Sequence, residues 1–155
     1  MFTGIHVAKT YIMTVPVPRE KAFPLLCPTR EYEWLLHWKC QIIHSESGMA
    51  ELGCVFTTEV PERGQATWIL TRHEPPSRVQ YTVFLFGSHV WTLDIELASM
   101  DAGQCRLTWR HAFTGLTPSG NQFLSEYTDE KHRMLLGRIE RSLIHFLRTG
   151  CMLKE

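Results

Sequence analysis

From about Ser119 to Thr149 the chain repeats its apolar residues every three or four positions. Leu135, Leu136, Ile139, Leu143, Phe146 and Leu147 fall on one stripe of a 3.6-residue period, while Lys131, Arg133, Arg138, Glu140, Arg141 and Arg148 take the other side. A helix of about thirty residues is roughly 45 Å long at ~1.5 Å per residue. Its stripe needs a broad sheet to lie on. Ser119 with Gln122 three residues on has the spacing of a capping box. Thr128, followed by Asp129 and Glu130, is a second start signal, because acids suit the positive end of a helix. The segment is therefore expected to run through, or to bend or break between Ser125 and Thr128. Gly150 stands where a left-handed C-cap glycine belongs.

What precedes this helix reads as strands. Residues 6–17 are rich in Val, Ile, Tyr and Thr and end at Pro16 and Pro18. Residues 19–27 read as a short helix with Pro18 near its first position. Pro24 removes one of its hydrogen bonds, so that helix is either very short or restarts there. Residues 29–36 read as a second short helix behind Pro28. From Lys39 the period becomes two, with strands predicted over residues 40–47, 54–60, 65–73, 78–86, 89–100 and 104–115. Gly and Pro turns separate most of them. Seven strands joined by short hairpins imply an antiparallel sheet.

The last hairpin fixes its own register. Trp91, Leu93, Ile95 and Leu97 face one way, as do Leu107, Trp109, His111 and Phe113. A turn about Ala102 sets Leu97 across from Leu107 and Ile95 across from Trp109. The same register sets Asp94 across from Arg110 on the other face, so both faces agree. That pair is expected to be an exposed ion pair worth under about 1 kcal/mol. The outer-face residues are polar or charged.

Lys plus Arg and Asp plus Glu number 16 each, so no basic field argues for nucleic acid. No basic stretch followed by a long apolar run marks a signal peptide, and no window is apolar enough for a membrane span. The 5 cysteines are odd in number and scattered, with no CxxC; reduced thiols in a cytoplasmic protein are the plain reading. The 155 residues suffice for one domain.

The order strand, two short helices, six strands, long helix is that of an α+β helix-grip, a curved seven-stranded antiparallel sheet wrapped around a C-terminal helix. Residues 32–59, YEWLLHWKCQIIHSESGMAELGCVFTTE, resemble the aromatic helix-to-strand passage and following hairpin of the START-related, or SRPBCC, superfamily. Residues 72–84, RHEPPSRVQYTVF, are similar to its strand–Pro–strand corner. LTWRHAFTGLTPSGNQFLSEYT and, later, HFLRTG resemble its polyketide cyclase/dehydrase-like branch in bacteria. Pro24 departs from the usual unbroken first helix. The resemblance spans nearly the whole chain but carries no catalytic signature. It implies a START-like domain over residues 1–155, with a cavity between sheet and long helix for a lipid, sterol, polyketide or aromatic compound. Some members are cyclases or hydrolases, others carry or sense a ligand, and some bind a chaperone ATPase.

On the expected inner face, Trp68, Tyr81, Trp91, Trp109 and Phe113 are pocket candidates, set against the plainer role of filling a core. Trp34 and Trp38, with His37, fall at the end of the second short helix, by analogy near the cavity mouth. Leu135, Leu136 and Ile139 would close the cavity from the long helix. His111, mid-strand between Trp109 and Phe113, either orients or deprotonates a ligand or is a core histidine bonded to a neighbour. Glu59 points outward by parity. Asn121 and Gln122 serve the helix start. No two of the 8 histidines have HxH or HExxH spacing, and there is no phosphate loop and no GxSxG elbow, so neither metal nor cofactor is expected.

Three function classes follow. The first is a module binding a small, mostly apolar ligand. The second is a cyclase, aromatase or hydrolase using His111 as general acid/base in the same cavity. The third is a protein-interaction module using the convex sheet face. The oligomeric state, a homodimer included, is left open.

Overall fold

The computed structural model describes residues 1–154. Its sheet is antiparallel throughout and contains β1 (His6–Val15), β2 (Gln41–His44), β3 (Val55–Val60), β4 (Gly64–Glu74), β5 (Arg78–Leu85), β6 (His89–Ser99) and β7 (Cys105–Gly115). The strand order is β1-β7-β6-β5-β4-β3-β2, so every neighbour from β2 to β7 is reached by a hairpin and only β1 crosses over to pair with the last strand. This is the α+β helix-grip architecture expected from the order of elements. Among the described residues no helix is long and apolar enough to cross a membrane.

The predicted hairpin register holds on both faces: Leu97 opposes Leu107, Ile95 opposes Trp109, and Asp94 opposes Arg110. The ion pair differs from expectation. Asp94 is buried, and its principal partner is Arg78 on β5, which donates to both carboxylate oxygens at 2.8 and 3.2 Å; Arg110 adds a contact at 3.3 Å. Asp94 thus joins three neighbouring strands. The outer face is also less polar than the sequence suggested, because Ile12, Ile69 and Phe84 are exposed.

The helical segments are shorter and more broken than predicted. α1 covers only Arg19–Ala22 and runs into a 3-10 turn at Phe23–Leu26, where Pro24 removes the donor a longer α-helix needs. The second predicted helix reduces to a 3-10 turn at Glu31–Glu33. At the C-terminal end there are two helices, α2 (Pro118–Glu126) and α3 (Asp129–Thr149). Tyr127 leaves helical geometry, and Thr128 caps α3 by accepting from the Lys131 N–H at 3.2 Å. α2 is capped by Thr117, not Ser119: its Oγ1 accepts from Gly120 N at 3.0 Å, and Pro118 takes the first helical position. Gly150 ends α3 with a φ of 74°.

Two polar ties hold α3 against β1. Lys9 Nζ lies 2.6 Å from Asp129 Oδ1, and the Tyr11 hydroxyl donates to Glu140. Leu136 and Leu143 of α3 are fully buried in the same core as Met13, Val15, Leu70, Val83 and Leu107. The packed stripe begins one turn earlier than the leucines, at buried His132, whereas Leu135 is 46% exposed at the edge of the cavity.

Candidate functional site

Between the concave face of the sheet and α3 lies a cavity of about 620 Å³. Strand alternation puts every second residue of β4 to β7 on this face. Aromatic residues fill those positions, and their rings touch in series. Trp38 stands edge-on to Trp68 at 6.2 Å, Phe56 stacks on Trp68 at 5.3 Å, and Trp68 meets Tyr81 at 5.7 Å and Trp91 at 6.1 Å. Trp91 then leads to Phe113 at 5.9 Å, and Phe113 to Tyr127 at 5.6 Å.

Most of the polar atoms in this wall are already bonded to protein. Trp34 Nε1 donates to the Leu25 carbonyl at 2.8 Å, Trp38 Nε1 to the Pro28 carbonyl at 2.9 Å, and the Tyr81 hydroxyl to the Leu26 carbonyl at 2.9 Å. The two indole bonds close the irregular 23–38 segment on itself, and the Tyr81 bond fastens it to β5. Trp68 Nε1 donates to Thr58 at 3.0 Å. The Trp109 Nε1–H is buried with no partner. Satisfied donors leave apolar ring surface facing the cavity, the arrangement of a site for small, largely apolar molecules.

Three titratable groups stand out against this wall. His111 lines the cavity; its Nδ1 is buried without a partner, and its Nε2 makes no hydrogen bond. The ring stacks on Phe113 and meets His132 of α3 edge-on at 4.7 Å. Burial, and secondarily His132, pushes the His111 imidazole down to about 3, so it is neutral at physiological pH. His132 is held through Nδ1 by the Tyr127 hydroxyl at 2.9 Å.

His89, buried on β6 with its ring 6.1 Å from the same Phe113 ring, stacks on Phe123 at 4.8 Å and shares a hydrogen bond with Ser88 Oγ at 2.7 Å. Burial and the nearby Arg63 guanidinium push it down to about 4. Arg63 itself sits 4.2 Å from the Phe123 ring centroid, a cation–π contact at the cavity rim.

Glu31 is the third group. It lines the cavity from the 3-10 turn, and among the described residues its carboxyl makes no hydrogen bond or ion pair. Burial, and secondarily Cys27, holds it well above the usual carboxylate range.

All eleven residues read from the sequence as candidates border this one cavity: Trp34 and Trp38 from the N-terminal segment, Trp68, Tyr81, Trp91, Trp109, His111 and Phe113 from the sheet, and Leu135, Leu136 and Ile139 from α3. His37, at φ 68°, lies at the mouth beside Leu35, Leu36 and Leu135. Glu59 points outward and accepts from Gln65. Asn121 is a tether: its Oδ1 accepts from Ile5 N at 2.8 Å and its Nδ2 donates to the Thr3 carbonyl at 3.1 Å. Sequence reading missed Glu31, His89, Phe123 and Tyr127. Two of them carried a signal. His89 shares the parity of Trp91 and Leu93, and Glu31 precedes Trp34 and Trp38 by three and seven residues, the spacing of one helical face.

No protein-family model and no curated protein sequence matches the chain. Solved structures do. DynU16, a protein of the dynemicin biosynthetic locus, superposes with a TM-score of 0.63 at 18% identity over 93% of this chain, which spans about half (48%) of that one. Norcoclaurine synthase from Thalictrum flavum, in complex with dopamine and hydroxybenzaldehyde, gives a TM-score of 0.67 at 8% identity over 94% of this chain and 88% of that one. CalU16 from Micromonospora echinospora gives 0.58 at 15% identity over 92% and 87%. At such identities the likeness is one of fold, and it extends across nearly the whole described chain. The chain therefore has the helix-grip fold of these structures, the fold implied by its resemblance to the START-related, or SRPBCC, superfamily.

Proposed function

We propose that this chain is a binding module, one START-like domain over residues 1–155, that holds a small, mostly apolar ligand of lipid, polyketide or aromatic type between its sheet and α3. The observation that carries this reading is the cavity of about 620 Å³ whose aromatic wall has most of its polar atoms bonded to protein. That volume lies within the roughly 300–1,000 Å³ of small-molecule sites. A solved neighbour of the same fold in complex with two aromatic compounds lends support. Native mass spectrometry of protein purified from its own host, with extraction of what accompanies it, tests the reading. A stoichiometric aromatic or lipid-like passenger supports it. A clean apo mass, together with no thermal shift against a panel of apolar compounds, counts against it and moves weight to an interaction role.

A second reading, a cyclase, aromatase or hydrolase, draws on His111, which lines the cavity with no hydrogen bond to Nε2. Among the described residues no serine, threonine or cysteine lines the cavity, so the lining offers no alcohol or thiol nucleophile. An imidazole held near 3 is also a weak base at neutral pH, which favours binding over proton abstraction. His111→Gln separates the two: loss of turnover with binding retained indicates catalysis, and a change in affinity alone indicates a carrier.

A further inference from the structure

Where β5 turns into β6, a serine and a histidine are bonded to each other. Ser88 Oγ and His89 Nδ1 lie 2.7 Å apart, and the two residues are only 5% and 3% exposed. Three contacts fix the serine. Its N–H donates to the Leu85 carbonyl at 3.1 Å, its carbonyl accepts from the Leu116 N–H at 2.8 Å, and Gly120 packs on that carbonyl with no room for a Cβ. The imidazole is held by stacking, on Trp91 at 5.2 Å and on Phe123 at 4.8 Å.

Ser88 lines a second cleft, of about 360 Å³, with Glu62, Arg63, Phe86, Gly87 and Ser119. His89 lines the large cavity instead, and Arg63 borders both spaces. Arg63 Nη1 lies 3.5 Å from Ser88 Oγ, and among the described residues its guanidinium pairs with no carboxylate. A hydroxyl bonded to a neutral imidazole is an activated nucleophile. With Ser88 donating, the His89 proton rests on Nε2 and Nδ1 accepts. The cation stands beside the atom that would attack, where negative charge develops on a carbonyl oxygen.

We propose that Ser88 and His89 form a catalytic dyad that hydrolyses small aryl esters, with Arg63 stabilising the oxyanion. Ser88 Oγ bonds to the carbonyl carbon as His89 Nδ1 takes its proton, and the carbonyl electron pair moves to the oxygen beside Arg63. Collapse breaks the bond to the aryl oxygen, which leaves with that proton as a phenol. Water, deprotonated by the same imidazole, then releases the acyl group as a carboxylic acid and restores Ser88. Two features select aryl esters. Phe86, 85% exposed, offers a ring at the cleft to the leaving group. Burial and Arg63 hold His89 down to about 4, and no carboxylate bonds to it, so it is a weak base that needs a good leaving group. His111 is a weak base too, but has no nucleophile bonded to it.

The test uses the full chain and two probes, an alkyl fluorophosphonate and 4-nitrophenyl acetate, read by intact mass and peptide mapping. The fluorophosphonate should place one phosphonyl group on Ser88, displacing fluoride, and none on the urea-unfolded chain. 4-Nitrophenyl acetate should leave a transient acetyl group on the same residue. Both adducts should vanish in Ser88→Ala. They should form roughly a hundredfold more slowly in His89→Phe, which keeps a ring for the stack. Near-ultraviolet circular dichroism checks that the variants fold; if His89→Phe does not, the mapped site and Ser88→Ala decide. No adduct on folded wild type, an adduct that survives Ser88→Ala, or an equal rate in a folded His89→Phe overturns the dyad. None of these outcomes touches the ligand-binding reading, whose test is the passenger in the large cavity.

Discussion

His132 stands edge-on to His111 where α3 crosses β7, with ring centroids 4.7 Å apart and planes at 82°. The Tyr127 hydroxyl lies 2.9 Å from His132 Nδ1. When that hydroxyl donates, the His132 proton rests on Nε2, which is buried without an oxygen or nitrogen partner. An edge-to-face ring offers such an N–H a π-face instead. Neither imidazole can take a second proton without placing a buried charge against the other.

Acid sensitivity follows from this pair. His111 falls from its ordinary 6.5 to about 3 in the folded chain. Between those values the unfolded chain binds a proton there and the folded chain does not. Stability is therefore lost as pH falls through that window, on the order of 1 kcal/mol per pH unit for one histidine. His89, down to about 4, adds a slope of the same sign. Urea titrations of wild type and His111→Phe at a series of pH values should show the variant with the shallower acid limb. Parallel limbs would mean that His111 is not kept neutral by the fold.

Gly120 sets how closely α2 approaches the sheet. A Cβ there would lie 1.8 Å from the Ser88 carbonyl oxygen, which is backbone and cannot swing aside. Gly120→Ala should push the first turn of α2 away from the β5–β6 turn at a cost of roughly 1–3 kcal/mol. Phe123 would move with it and lose its stacking on His89 at 4.8 Å. Chemical denaturation reports the first effect and near-ultraviolet circular dichroism the second. Unchanged values in both would show that the turn yields freely.

Asp94 should matter more than an exposed pair and less than a fully buried one. Its carboxylate is 10% exposed, but the Arg78 and Arg110 side chains keep 33% and 47% of their exposure. Asp94→Asn leaves both guanidinium groups in contact with water, so the loss should be roughly 1–2 kcal/mol. That is above the ~1 kcal/mol ceiling of surface pairs and below the ~3–5 kcal/mol for breaking a buried one. A double-mutant cycle with Arg78→Lys should show coupling, because lysine cannot reproduce the two-pronged contact.

The sheet and its register were legible because they rest on alternation, which a single strand displays in its own sequence. Leu97 opposite Leu107 and Asp94 opposite Arg110 need nothing beyond parity and a turn. The true depth of Asp94 was not legible, since Arg78 reaches it from β5, outside the β6–β7 hairpin whose parity sets the register. The first helix of the C-terminal pair was shifted because Thr117 and Ser119 both suit an N-cap, and Pro118 decides between them. Glu31 escaped notice for a different reason. An acid on a short, Pro-bounded helical turn reads as solvated until the indole bonds of Trp34 and Trp38 close the segment on itself and the Tyr81 hydroxyl ties it to the sheet.

Glu31 should cost this protein stability at neutral pH. Its folded carboxyl titrates well above the ordinary 4.5 because burial opposes the charged form. Below about pH 4 the group is neutral in both folded and unfolded chains, and its contribution is fully present. As pH rises, the unfolded chain ionises first, so stability is lost progressively toward the folded value. This slope opposes that of His111 and His89, and the stability maximum should lie where the two trends cross. Glu31→Gln removes the rising-pH loss while keeping size and polarity. Its Tm should match wild type near about pH 4 and exceed it by several degrees at about pH 8. A variant less stable than wild type at the higher pH would mean that the carboxylate has a stabilising partner and that burial does not raise Glu31.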